Sequence, residues 1–275
     1  QTDLPDCDGS ASVREIRWPH LANWSSSNFY VNQSDHALVF VTDVTGATTS
    51  ASASYPRTEL REMSGDWSIA SGRHTLRQRV SIHRLPLGKP QVIVAQIKSN
   101  TEPPTLKMRA KQVSSGIRLE ARVKYNGADG SVEERGLVFD REYQLGEEFE
   151  LHITEDRLLL AVSAGAVGEA AQTLTYDYGG VTPYNTTTAS TFYFKAGSYC
   201  QANAGNAASP EEKCEVHLHS LEAAHSPSPP PSPLPSPPLP SPPLPSPPPS
   251  PLPSLPPPSA PTPALPPFPP PGPPS

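Results

Sequence analysis

Proline divides this chain of 275 residues. Most of its 38 prolines lie after residue 226. From Ser226 to Ser275 the sequence is nearly all Pro, Ser and Leu and carries no charged residue. Such a segment cannot bury enough apolar surface to offset the entropy of ordering it. It is expected to be disordered and largely polyproline II, a semi-rigid spacer of about 3 Å per residue. That leaves Gln1 to about His225 as one globular domain, long enough for a sizeable core. The chain is therefore read as a domain over 1–225 and a Ser/Pro-rich tail over 226–275.

The globular part reads as strands. Ala37 to Val44 is a β-branched run ended by Gly46. Arg73 to Leu85 alternates through Leu76, Val80 and Ile82 and stops at Pro86. Val92–Ile97, Ile117–Tyr125, Phe149–Thr154, Leu158–Val162, Thr191–Tyr199 and Glu215–Leu221 follow the same logic. Turn signals sit between them, including Asn126-Gly127 and Asp129-Gly130. No window shows a long, capped helical period. Many short strands predict an all-β domain, a β-sandwich or jelly roll.

The net charge of −6 lies entirely in the globular part. An acidic domain argues against nucleic acid and anionic membranes as partners. No apolar run approaches the roughly 18 residues of a membrane span. No signal peptide is visible; a leader could have been removed before Gln1. Cys200 and Cys214 flank a polar loop, and a disulfide closing it is one reading; free thiols are the other, and Cys7 is the odd residue out. Asn23, Asn32 and Asn185 begin glycosylation triplets, weak support for a secreted protein.

The informative segments put polar groups on one face of a strand. In Pro56–Glu62 the residues Arg57, Glu59 and Arg61 alternate, so all three project the same way. Gln91–Lys98 ends with Gln96 and Lys98 on one face. Tyr193–Gln201 aligns Lys195, Gly197, Tyr199 and Gln201. Each row alone reads as the solvent side of a half-buried strand. Were the three strands neighbours, they would form a cationic groove with a tyrosine in it. Adjacency is the assumption.

These segments read RTELR (57–61), QIK (96–98) and YFKAGSYCQ (193–201). In order and spacing they resemble the signature regions of polysaccharide lyase family 7, the alginate lyase family. The resemblance covers about residues 5–222. It implies a β-jelly roll with the active groove on its concave sheet. It also implies a lyase that cleaves a 1,4-linked polyuronate, alginate or a glucuronan, by β-elimination, without a metal or cofactor. Arg57 and Gln96 would neutralise the uronate carboxylate, since a forked guanidinium suits a carboxylate. Tyr199 would be the proton-transfer residue, its phenol pKa drawn down from about 10 by nearby cations, Lys195 among them. The family often has His where this chain has Lys98. Lysine is a cation at an ordinary pKa, so Lys98 is expected to stabilise charge rather than take a proton. One group can serve as base and then acid only when proton and leaving oxygen share a side of the ring. This predicts syn elimination by Tyr199 and a preference for mannuronate-rich alginate or glucuronan over polyguluronate. Glu59 is expected to orient Arg57 and Arg61. Glu59, Arg61, Lys195 and Gln201 complete the substrate-binding set.

The tail resembles the hydroxyproline-rich arms of plant and green-algal cell-wall glycoproteins. It points to a secreted, wall-associated monomer whose tail contacts the cell wall; a linker or a ligand for proline-binding domains is the alternative. A non-catalytic polyuronate-binding module and a structural wall protein are the rival functions. The remaining candidates take plain readings. His217 and His219 lack partners as metal ligands. Asp3, Asp6 and Asp8 read as a solvated terminus. Trp18, Trp24 and Trp67 read as core rather than sugar platforms.

Overall fold

The computed structural model describes residues 2–5, 13–48, 53–63, 66–99, 104–127, 129, 131–178 and 191–227. Contacts group Gln1–Pro230 into one compact unit. The polyproline expectation, Cys7, Asp6, Asp8 and Asn185 fall outside the described residues.

Among the described residues fifteen strands follow in chain order: β1 Thr2–Pro5, β2 Val13–Ile16, β3 Phe29–Val31, β4 Leu38–Asp43, β5 Arg57–Arg61, β6 Arg73–Arg84, β7 Gln91–Ser99, β8 Leu106–Val113, β9 Gly116–Asn126, β10 Val132–Tyr143, β11 Glu148–Asp156, β12 Leu159–Ala166, β13 Gln172–Asp177, β14 Phe192–Cys200 and β15 Lys213–Ser226. One short 3-10 turn, His20–Asn23, is the helix among the described residues. It is neither long nor apolar enough to cross a membrane.

The strands form two antiparallel sheets. The eight-stranded sheet runs β10-β9-β8-β7-β14-β5-β1-β2, and the seven-stranded sheet runs β13-β12-β11-β6-β15-β4-β3. The fold is the expected all-β jelly roll. Its core is the alternate residues of facing strands. Leu106, Met108 and Ala110 of β8 and Ile117, Leu119, Ala121 and Val123 of β9 point inward against Leu151, Ile153, Leu160 and Val162 of the second sheet. Each fully buried Leu, Ile, Val or Met among them contributes about 1.5–3 kcal/mol. The polar residues between them must therefore face the other way, and on the eight-stranded sheet that other face is the groove.

Three expectations need correction. Leu158 does not open a strand. Asp156 pairs with Leu159, so Arg157 and Leu158 are a two-residue hairpin turn with φ of 51° and 71°. Trp18 is 74% exposed and is not core, whereas Trp67 is buried against Phe192, Phe194 and His74. Asp3 belongs to a paired strand, β1, which lies between β5 and β2 and sets Asp3 opposite Glu59.

Candidate active site

The three polar rows lie on adjacent strands: β7, β14 and β5 are consecutive in the eight-stranded sheet. Tyr199 pairs with Arg57, Gly197 with Glu59 and Lys195 with Arg61. On the other side Lys195 pairs with Gln96 and Tyr193 with Lys98. Regular alternation plus this register gathers the side chains on one face.

Gly197 makes the close packing possible. Its φ is 137°, and a Cβ there would stand 2.7 Å from Thr58 O and 2.9 Å from the Glu59 Cα. It sits where β14 slips register against β7, between Ala196 and Tyr199. Only glycine takes that backbone conformation without strain.

Glu59 is the hub of the floor. Its Oε1 accepts from Gln96 Nε2 at 2.5 Å and its Oε2 from Lys195 Nζ at 2.9 Å. Arg57 NH1 lies 4.0 Å from the same Oε2. Glu59 and Lys195 are almost fully buried. The ammonium cancels the carboxylate, so a buried acid sits under the groove without repelling an anion. This pair therefore positions its neighbours more than it meets a sugar. The expected Glu59–Arg57 relationship is present. Arg61 lies over the Tyr193 ring, 4.0 Å from its centre.

The guanidinium of Arg57 lies over Tyr199, 3.8 Å from the ring centre. Its Nε is buried with no hydrogen-bond partner. Gln96, its nitrogen turned to Glu59, keeps a second N–H. The Tyr199 phenol departs from the sequence expectation. Its pKa is raised, because burial disfavours the phenolate more than Arg57 and Lys195 favour it. Lys98 follows Gln96 on the same face and donates to Ser99 O at 3.0 Å. Gln201 turns its amide back onto the carbonyls of Cys200 and Tyr199, at 3.2 and 3.4 Å.

Sequence reading missed Lys107. It pairs with Gln96 from β8, and its Nζ is 5.9 Å from the Tyr199 ring centre, so it joins Arg57 around the phenol. Burial, with Lys124 and Arg57 nearby, lowers its pKa to about 8. The signal was legible: in Leu106–Lys111 apolar residues alternate with Lys107, Arg109 and Lys111. Further out, Arg109 pairs with Glu120, Arg122 with Glu120 and Glu134, and Arg118 with Glu142. The basic concentration is thus at the Arg57–Tyr199–Lys107 centre. A depression of about 530 Å³ on the opposite sheet, lined by Arg77, Glu150, His152 and Glu222, mixes charges and holds no tyrosine.

Comparison with known proteins agrees with this geometry. The family model described as alginate lyase matches residues 4–225. A variant of the family 7 alginate lyase A1-II′, solved in complex with substrate, is 27% identical over 82% of this chain and 91% of its own, with a TM-score of 0.67. The alginate lyase AlgAT5 of polysaccharide lyase family 7 is 30% identical over 82% and 93%, with a TM-score of 0.64. The alginate lyase from Corynebacterium sp. is 29% identical over 82% and 93%, with a TM-score of 0.63. No curated protein sequence matches the chain. A family match over most of the chain, on a fold whose groove gathers Arg57, Gln96 and Tyr199, establishes that the chain belongs to the alginate lyase family and is a polysaccharide lyase.

Proposed function

We propose that the chain cleaves a 1,4-linked polyuronate by syn β-elimination, with Arg57 and Gln96 on the uronate carboxylate and Tyr199 moving the proton. The observation that carries this reading is the contact of Arg57 with Tyr199 above the Glu59 hub. The carbon-5 proton is barely acidic beside an anionic carboxylate. Two donors on that carboxylate, in a floor shielded from water, stabilise the charge that develops there. The Tyr199 phenolate takes the carbon-5 proton, and the electron pair forms the double bond between carbons 4 and 5. The carbon 4–oxygen bond breaks, and the phenol returns its proton to the leaving oxygen. Because burial keeps the phenol protonated, the base form gains population as pH rises. Lys98 and Lys107 add positive charge along the polymer.

Tyr199 serving both proton transfers favours mannuronate-rich alginate or glucuronan, where proton and leaving oxygen are on one side. Ultraviolet absorbance of the unsaturated ends, followed on polymannuronate, polyglucuronate and polyguluronate in parallel, tests this. Turnover of the first two supports it, and activity confined to polyguluronate overturns it. We further read the protein as a secreted, wall-associated monomer, with its Ser/Pro-rich tail as the wall contact. Cys200 and Cys214 are free thiols here, buried with their sulfurs 2.7 Å apart, close enough to be joined in the oxidising compartment this reading calls for. Removing residues 227–275 should leave activity on soluble polymer intact and reduce retention on cell walls.

A further inference from the structure

A second cluster lies on the outer face of the seven-stranded sheet, across the sandwich from the groove. His83 of β6 and Glu215 and His217 of β15 each offer one donor atom, and these lie within 4.8 Å of one another. The His217 ring is only 4% exposed. It is held between two carboxylates: Nδ1 is 3.1 Å from Asp35 Oδ2, and Nε2 is 3.0 Å from Glu215 Oε1. The His83 ring stacks on it with centres 3.6 Å apart. Ser81 Oγ steadies this arrangement, touching His83 Nε2 at 3.0 Å and His219 Nε2 at 2.9 Å.

A neutral imidazole has one N–H and can serve one carboxylate, not two. One of the His217 contacts therefore needs a positive charge. A divalent ion on the Glu215 side would supply it: Nδ1–H donates to Asp35, and the Nε2 lone pair meets the metal. A carboxylate behind a histidine is the usual support of a metal ligand. His83 adds a second imidazole. Two imidazoles and one carboxylate suit zinc, whereas calcium and magnesium require oxygen donors throughout. Zinc bonds of about 2.0–2.2 Å require these donors to draw in by roughly an ångström. His83 is exposed and Glu215 half-buried, so both can turn toward the fixed His217.

We propose that His83, Glu215 and His217 bind one zinc ion, with Asp35 orienting His217. The ion would tie β6 to β15 and to the turn before β4. The proposal is independent of the lyase chemistry, and its readout is binding. The full chain, stripped with a chelator, is titrated calorimetrically with zinc and with calcium. One zinc per chain and no calcium is expected, with a zinc-dependent rise in melting temperature. His83→Ala, at the surface, should weaken zinc at least tenfold. Asp35→Asn should weaken it about 10–100-fold. His152→Ala, on the same face outside the cluster, should leave it unchanged. Absence of zinc binding, or His83→Ala binding as tightly as the parent, overturns the proposal and leaves a proton as the bridge between His217 and Glu215.

Discussion

Arg57 and Tyr199 are cross-strand partners of β5 and β14, and the guanidinium rests 3.8 Å from the centre of the phenol ring. In the proposed mechanism that one relationship holds a carboxylate receptor against a proton carrier. Replacing Arg57 with Lys keeps the charge and removes both the fork and the flat stack. Loss of one such donor costs on the order of 10²–10³ in kcat. Tyr199→Phe, which keeps the ring, should lose about 10²–10⁴. Steady-state rates with unchanged circular dichroism check both. A Tyr199→Phe protein that depolymerises at the parental rate sinks the mechanism.

Glu59 and Lys195 are a buried ion pair, 1% and 5% exposed. Breaking such a pair from one side leaves an uncompensated charge in the floor. Glu59→Gln is expected to destabilise the domain by about 3–5 kcal/mol. Adding Lys195→Met should recover a large part of that loss. Urea denaturation of the two single variants and the double variant measures the coupling.

Lys107 carries a pKa lowered to about 8 by burial and by its cationic neighbours. Below that pH it is an ammonium and attracts uronate; above it the groove loses a charge. KM for a polyuronate should therefore rise as pH passes about 8. Lys107→Arg stays charged and should move the rise to higher pH. Kinetics against pH at constant ionic strength will show whether the KM limb belongs to Lys107.

Glu155 is fully buried, and burial raises its pKa to about 8. The Leu158 backbone N–H offsets this only in part. The folded state thus binds a proton that the unfolded state releases near its ordinary value of 4.5. The penalty is absent below that value, grows as pH rises toward about 8, and is complete above it. It amounts to a few kcal/mol at about 1.4 kcal/mol per pH unit. Glu155→Gln should flatten this dependence and gain most at alkaline pH. Melting temperatures of both proteins from pH 5 to pH 9 form the test; parallel curves would contradict it.

Arg157 occupies the left-handed region with φ of 51° in the β11–β12 turn. A turn of this kind prefers Asn or Gly. Relief of about 1–2 kcal/mol of left-handed strain, less about 0.5–1 kcal/mol of added chain entropy, means Arg157→Gly should stabilise by about 0.5–1 kcal/mol. Chemical denaturation is the check, and a destabilised variant would show that the side chain matters more than the backbone.

Much of the fold was legible because a half-buried strand writes its two faces into alternate residues. β6, β7, β9 and β14 could be read that way, as could the polar rows of Arg57, Gln96 and Tyr199. β10 could not. Its first half, Val132–Gly136, is exposed, and its Glu134 and Glu142 are held by ion pairs to Arg122 and Arg118 of β9. Those partners are distant in sequence, so no local pattern announces the strand. β1 and β13 are short edge or near-edge pieces with the same difficulty.

The sequence by itself determined which side chains share a strand face, and how sharply the proline-rich stretch differs in composition from the rest. Those are consequences of covalent period and composition. Only the tertiary structure decided that β7, β14 and β5 are neighbours, that Glu59 links Gln96 to Lys195, and that Lys107 stands beside Tyr199. Pairing and register depend on contacts between residues far apart in the chain. So does the Tyr199 pKa: the nearby cations could be read from spacing, but the burial that outweighs them exists only once the sheet has formed.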